Sequence, residues 1–245
     1  MSFSDWSRAA STYLNYFKSN QDRFRRELLD PILLNALNPR GKSILDIGCG
    51  EGYFSRVMKA VGAKHIVGID IAPELIESAR HQDPSGEYEV YDIVSAPVLW
   101  PDKFDGAVAH MVMMDVSDID TAYKKIADSL VPSGRFVLSI VNPYYTWPVG
   151  QWRVVGNYRE LIITNYFVSR MVQKPLGNGR VPHYHRQLSE YINIAAKHGI
   201  ILSAYLEPAM TPELKERYAG FNLAKILNRL PLFLVLQFDK SEREF

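Results

Sequence analysis

The chain has a single cysteine, Cys49, in 245 residues. One thiol cannot form an internal disulfide, which excludes a cysteine-stapled framework and points to a reducing compartment. It also lacks an excess of either charge: 28 Lys+Arg against 27 Asp+Glu give a formal net charge of +1. That balance, with no basic stripe, argues against nucleic acid or an anionic membrane as partner. No long apolar run is present; the longest near the C-terminus, Leu232 to Leu236, is far too short to span a bilayer. The start, Met1-Ser2-Phe3-Ser4-Asp5-Trp6, lacks the basic and apolar segments of a signal peptide, so the expected location is cytoplasmic. Internal repeats and low-complexity segments are lacking as well. What the chain does have is an ordinary globular composition, 47% hydrophobic and 22% charged. Its length suits one large α/β domain, or one with an elaborated cap.

Residues 3–38 read as helical. Trp6, Ala9, Ala10, Tyr13, Leu14 and Phe17 recur at i, i+3/i+4 spacing, and Leu28, Leu29, Ile32, Leu33 and Leu37 continue the pattern. Pro31 reads as a break or a first-turn residue. From residue 43 apolar strands alternate with helices: strands 43–47, 65–70, 88–91, 104–110 and 136–141, and helices 52–61, 73–82 and 118–130. Such alternation implies right-handed crossovers and a mainly parallel sheet. The rhythm fails over 142–186, which is aromatic and without a clean period, as expected of a lid or binding segment. Helix 187–198, strand 200–206, helix 212–229 and strand 232–238 close the chain. The expected organisation is one domain over 1–245: a helical cap (1–40), a cofactor-binding core (41–141), a lid (142–186) and the C-terminal part of the core (187–245).

The chemistry starts at Ile44-Leu45-Asp46-Ile47-Gly48-Cys49-Gly50-Glu51-Gly52-Tyr53-Phe54, where an apolar strand runs into glycines at alternate positions. A Gly-rich turn lets backbone approach a ligand closely. The next strand, Ile66-Val67-Gly68-Ile69, ends at Asp70, where an acid meets a ribose diol. The pair marks a nucleotide-like cofactor. In a GxGxxG dinucleotide fingerprint the third glycine would stand at 53, which is Tyr here, and this opposes an NAD-dependent oxidoreductase. With Asp92-Ile93 after the third strand and Leu130-Val131-Pro132-Ser133-Gly134-Arg135 before the fifth, the chain resembles the class I S-adenosylmethionine-dependent methyltransferases of small-molecule type. The likeness covers about residues 40–141 and 185–240.

The resemblance implies a Rossmann-like α/β fold with a seven-stranded, mainly parallel sheet, helices on both faces and an antiparallel last strand. It also implies that Asp46, with the amides of Gly48, Cys49 and Gly50, holds the amino-acid end of S-adenosylmethionine. Asp70 would take the ribose hydroxyls, Ile71 and Ile93 would flank the adenine, and Asp92 would read its amine. His110 and Met111, ending the fourth strand, would lie beside the sulfonium, with the His110 imidazole either reacting or merely packed. Cys49 fills a small-residue slot.

Asp115, Asp118 and Asp120 look like a metal cluster but read better as helix N-terminal acids. Metal-dependent relatives need an acid where His110 stands, so no metal is expected. Asn142-Pro143-Tyr144-Tyr145 follows the fifth strand and not the fourth, so it is no amine-methyltransferase tetrapeptide. His183-Tyr184-His185-Arg186, followed by Glu207-Pro208, is similar to a small-molecule methyltransferase pattern. His183 or His185 would then be a general base, with Arg186 an anion contact; the plainer alternative has His185 and Arg186 tie the helix start to Glu207. Tyr144, Trp147 and Tyr184 are the expected aromatic substrate contacts, unless the insertion packs on itself. Trp6, Tyr13 and Tyr16 would cap the cofactor or pack in the core. The expected reaction is methyl transfer to a small-molecule oxygen nucleophile, by a monomer or homodimer without nucleic acid or membrane. The rivals are a methyltransferase acting on tRNA or protein and a catalytically silent S-adenosylmethionine-binding protein.

Overall fold

A computed structural model describes residues 3–19, 22–97, 100–146, 149–156, 158–176, 179–220 and 229–241. Two helices come first, α1 (Phe3–Lys18) and α2 (Arg23–Leu37). The alternating region follows as β1 (Ser43–Ile47), α3 (Tyr53–Ala60), β2 (His65–Asp70), α4 (Pro73–Gln82), β3 (Glu87–Val90), β4 (Phe104–His110), α5 (Ile119–Ser129) and β5 (Leu130–Val141). The insertion forms two hairpins, β6 (Gly150–Val155) with β7 (Tyr158–Ile163) and β8 (Arg170–Leu176) with β9 (Gly179–His185). The chain then adds α6 (Leu188–Lys197), β10 (Ile200–Leu206), α7 (Pro212–Arg217) and β11 (Phe233–Lys240).

Seven strands form one sheet in the order β10-β11-β5-β4-β1-β2-β3, with β11 antiparallel to both neighbours and β1 to β5 parallel. This is the expected Rossmann-like sheet. Its inner strands β1, β4 and β11 are near-continuous buried runs because both faces are covered, whereas the edge strands β3 and β10 are largely exposed. On β5, Phe136, Leu138 and Ile140 pack with Tyr123 and Ile126 of α5 and Tyr191 of α6. The alternate residue Val137 joins Leu28, Leu29, Leu33 and Leu37 of α2 and Phe54 and Met58 of α3 on the other face. The order reverses between β1 and β4, and the two crossovers leaving there in opposite directions open a crevice at the strand tips. Among the described residues no helix is long and apolar enough to cross a membrane.

Three expectations need correction. α2 runs straight through Pro31. The proline ring removes one helical hydrogen bond, but burial of Leu28, Leu29, Leu33 and Leu37 on either side holds the helix together. Residues 142–186, read as lacking a clean period, contain two hairpins; β6 is exposed from Gln151 to Val155, so no one-sided burial imprints a period of two there. Helix α7 ends at Arg217, and residues 221–228 of the expected helix 212–229 lie outside the described residues.

Candidate active site

The tips of β1 and β2 build the floor of a cavity of about 480 Å3. After β1 the chain turns through Gly48 and Gly50 at φ 64° and 58°, the left-handed region that favours glycine. A Cβ on Gly48 would fall 2.5 Å from Val112 Cγ2, and one on Gly50 would fall 3.3 Å from the Tyr13 ring. The loop is tied to β2 by the Cys49 amide, which donates to the Ile69 carbonyl at 2.9 Å. Burial, with Asp46 and Asp70 nearby, pushes the Cys49 thiol well up, so it stays protonated and inert.

Asp70 ends β2. Its Oδ2 accepts from the Gly50 amide at 3.0 Å and its Oδ1 from the Ala72 amide at 2.9 Å. Each oxygen keeps a further lone pair. Burial raises its pKa to about 6. Asp46 sits two residues after Ile44 and shares its face of β1, toward α3, where Ser55 Oγ donates to its Oδ2 at 2.5 Å. It is 1% exposed, and burial, with the charge of Asp70 adding to it, lifts its pKa to about 7. Asp92 accepts from the Val94 amide at 2.9 Å and from Ser95 Oγ at 2.7 Å, closing the turn after β3.

Gly48, Gly50, Asp70, Ile71, Leu75, Asp92, Ile93 and Met111 line the cavity, with Trp6 and Tyr13 of α1. The Trp6 and Tyr13 rings meet edge to face at 6.1 Å, and the Trp6 indole N–H is buried without a hydrogen-bond partner among the described residues. An apolar slot, a diol-ready carboxylate, an unfilled donor and a side-chain-free loop fit S-adenosylmethionine. Asp46 and Cys49 lie off the main cavity wall, on a smaller recess shared with Gly48, Arg25 and His110.

His110 lines the main cavity and is held on one side, its Nδ1 lying 2.7 Å from Ser139 Oγ. Its Nε2 lies 3.5 Å from Asp30 Oδ1 and has no hydrogen-bond partner among the described residues. Burial lowers its pKa below the ordinary imidazole value, against the pull of Asp30. The next residue, Met111, takes φ 63°, and its amide donates to Ser139 Oγ at 3.1 Å.

The remaining expected residues separate. His183 is 5% exposed, and its Nδ1 lies 2.9 Å from Oδ1 of Asp115, itself on the cavity wall. The Tyr184 amide donates to the Met114 carbonyl at 2.7 Å, latching β9 to the loop after β4. His185 is not on the wall: it is 1% exposed, with Nε2 2.8 Å from the Tyr166 carbonyl. Arg186 is not a substrate contact either. Its guanidinium is buried, donating to the carbonyls of Met113, Val116 and Ser117, and it lies over the Tyr184 ring at 4.8 Å. The alternative Arg186–Glu207 tie also fails, since among the described residues Glu207 instead accepts from the Tyr205 hydroxyl at 3.2 Å. Tyr144 stacks on Tyr166 at 4.8 Å and is 40% exposed, off the wall. Neither Tyr144 nor Tyr184 lines the cavity. Trp147 and the Tyr16 side chain lie outside the described residues.

Of the three acids, Asp118 caps α5 through the Thr121 amide at 3.1 Å, as expected. Asp120 stands in the first turn of α5, also as expected, and pairs with Lys197 at 2.7 Å and with His198, whereas Asp115 pairs with His183. Among the described residues no group of three or more His, Cys, Asp or Glu could hold a metal ion. Sequence reasoning missed Asp22, Arg25, Lys174, Pro175, Leu176 and Val181 on the cavity wall. Gly156-Asn157 and Gly177-Asn178 were the available signals for the hairpins, since Gly-Asn between strands marks a two-residue turn.

The family profile described as "Methyltransferase domain" matches residues 20–205. A "Ubiquinone biosynthesis O-methyltransferase" of Xanthomonas euvesicatoria is 33% identical over 122 residues, 46% of this chain and 51% of that protein. A "Ribosomal protein L11 methyltransferase" of Burkholderia cenocepacia is 35% identical over 100 residues, 40% of this chain and 32% of that protein. Thus the chain spans about half the length of the first relative and about a third of the second. A solved S-adenosylmethionine-dependent methyltransferase from Mesorhizobium loti superposes with a TM-score of 0.77 at 26% identity, covering 85% of this chain and 96% of that one. The profile covers most of the chain and the fold and glycine loop agree with it, so the chain belongs to the methyltransferase-domain family, as a class I S-adenosylmethionine-dependent methyltransferase.

Proposed function

We propose that the protein transfers a methyl group to a hydroxyl of a small-molecule acceptor, with the Asp115–His183 pair taking the hydroxyl proton. S-adenosylmethionine supplies an electrophilic methyl on a sulfonium. Asp70 holds its ribose hydroxyls, Ile71 and Ile93 flank the adenine, and Asp92 faces the adenine amine. Asp46 and the amides from Gly48 to Gly50 hold the amino-acid end, and the backbone at His110 and Met111 borders the sulfonium. Residues 1–40 and 142–186 act as a cap on the core that excludes water. For such an in-line displacement the protein contributes chiefly orientation and proximity, and a dry site removes the hydration of the charged sulfonium. The oxygen–carbon bond forms as the sulfur–carbon bond breaks, and the proton passes to the Asp115–His183 pair.

The observation that carries this reading is the 2.9 Å contact of His183 Nδ1 with Oδ1 of Asp115: Asp115 lines the cavity, and the buried His183 stands behind it, off the wall. The ubiquinone-biosynthesis relative supports an oxygen acceptor. The ribosomal-protein relative favours a protein acceptor as second reading, but the cavity lies under α1 and the β8–β9 hairpin, which suits a small molecule better. The protein is taken to act in the cytoplasm, as monomer or homodimer, without nucleic acid or membrane. Calorimetry with S-adenosylmethionine and S-adenosylhomocysteine, then turnover of phenols, carboxylates and amines, tests the reading. Phenol turnover is expected. Cofactor binding without turnover of any class would make the protein a silent binder, and exclusive amine turnover would overturn the oxygen acceptor.

A further inference from the structure

We infer that the acceptor carries a carboxylate, bound by Lys174 at the rim of the cavity. The inference rests on the methyl-transfer reading above and names the substrate class of the same site. The charged groups around the cavity are nearly all committed. Arg25 donates through two nitrogens to both oxygens of Asp22, at 2.6 Å each. Asp70 and Asp92 accept from turn amides, and Asp115 is held by His183. Lys174 lines the cavity, is exposed, and forms no ion pair or hydrogen bond among the described residues.

Its place on the hairpin gives it direction. Lys174 lies directly across from Val181 in the β8–β9 register, so the two side chains share a face. Val181 is 3% exposed and also lines the cavity. Around that point the wall is apolar: Val112, Met114, Val141, Leu176, Val181 and Phe233. An acceptor seated there has an apolar or planar body, its hydroxyl toward Asp115, and one end at the ammonium of Lys174. A single flexible ammonium suits a monoanionic carboxylate, whereas a dianionic phosphate is better held by an arginine fork or a cluster of amides.

The test titrates S-adenosylhomocysteine-loaded protein with 3,4-dihydroxybenzoate, its methyl ester and 4-hydroxyphenyl phosphate. The free acid is expected to bind about three- to ten-fold tighter than the ester at low salt, the range for a charge-assisted contact at a partly wet rim. Lys174→Met should flatten that ratio, Lys174→Arg should restore most of it, and added salt should shrink it. Affinity for S-adenosylhomocysteine serves as the folding control, because Lys174 is exposed. The inference is overturned if acid and ester bind alike, if neither binds at millimolar concentration, if the preference survives Lys174→Met, or if the phosphate outcompetes the acid. His183→Asn keeps the two ideas apart. If it leaves turnover unchanged while the acid-to-ester ratio persists, the proton-acceptor reading fails and the Lys174 contact stands.

Discussion

Asp115 and His183 touch through one oxygen and one nitrogen, so each orients the other and neither acts alone in the proposed proton transfer. Removing either should therefore cost about as much as removing both. We expect Asp115→Asn and His183→Asn each to lower kcat by about 10²–10³, with the double variant little worse and the cofactor Kd unchanged. Steady-state kinetics with a phenolic acceptor, set beside calorimetry, checks this. Asp46 makes a different demand. Its folded pKa, about 7, stands above the ordinary carboxylate value, so the unfolded chain gives up this proton more readily. The stabilising proton is fully present below about pH 4 and is lost as pH rises through 7. Asp46→Asn should thus stabilise the cofactor-free protein at pH 7.5 by about 1–3 kcal/mol while weakening S-adenosylmethionine binding about tenfold or more. Thermal melts across pH and a cofactor titration would show the opposed effects; a destabilised variant at pH 7.5 would contradict them.

At the scale of elements, α2 carries an exposed proline in its interior. Pro31→Ala restores a hydrogen-bond donor but frees the unfolded chain, and the balance should favour the helix by about 1–2 kcal/mol in urea denaturation. Here the reach of the sequence is visible too. Strands β1, β2 and β4 were legible because burial on both faces leaves runs such as Ile44-Leu45 and Val67-Gly68-Ile69 flanked by turns. The positions of the glycine loop and of Asp70 and Asp92 were legible because each is local to a strand tip. The β6–β7 hairpin was not, because Val154, Val155 and Ile163 are exposed, and β9 was not, because its buried positions include His183 and His185, which read as chemistry and not as core. The Asp115–His183 contact joins residues 68 positions apart, and neighbours in sequence carry no signal of it. His185 and Arg186 misled for the converse reason: a histidine-arginine pair beside a lid reads as chemistry, yet His185 meets the Tyr166 carbonyl and Arg186 three carbonyls of the loop after β4.

Across the whole molecule, the two raised carboxyls are expected, on the proposed cofactor contacts, to couple cofactor binding to pH. Burial brings Asp70 to about 6 and Asp46 to about 7 in the cofactor-free protein. Donation by ribose hydroxyls and the ammonium and sulfonium charges favours their ionised forms, so binding should release protons near pH 6 and tighten as pH rises from 5 to 8, by roughly tenfold. Calorimetry in two buffers of different ionisation enthalpy reads the proton count directly, and net uptake would contradict the assignment. The placing of the insertion has its own consequence. The β1 and β2 tips form one part of the cavity wall, while Lys174 and Val181 reach it from a hairpin inserted after β5. On the proposed roles, selectivity and donor recognition would come from separate stretches of chain and be separable as heritable traits. A laboratory chimera that exchanges residues 150–185 is then expected to change its chemistry's recipient while keeping its grip on the reagent.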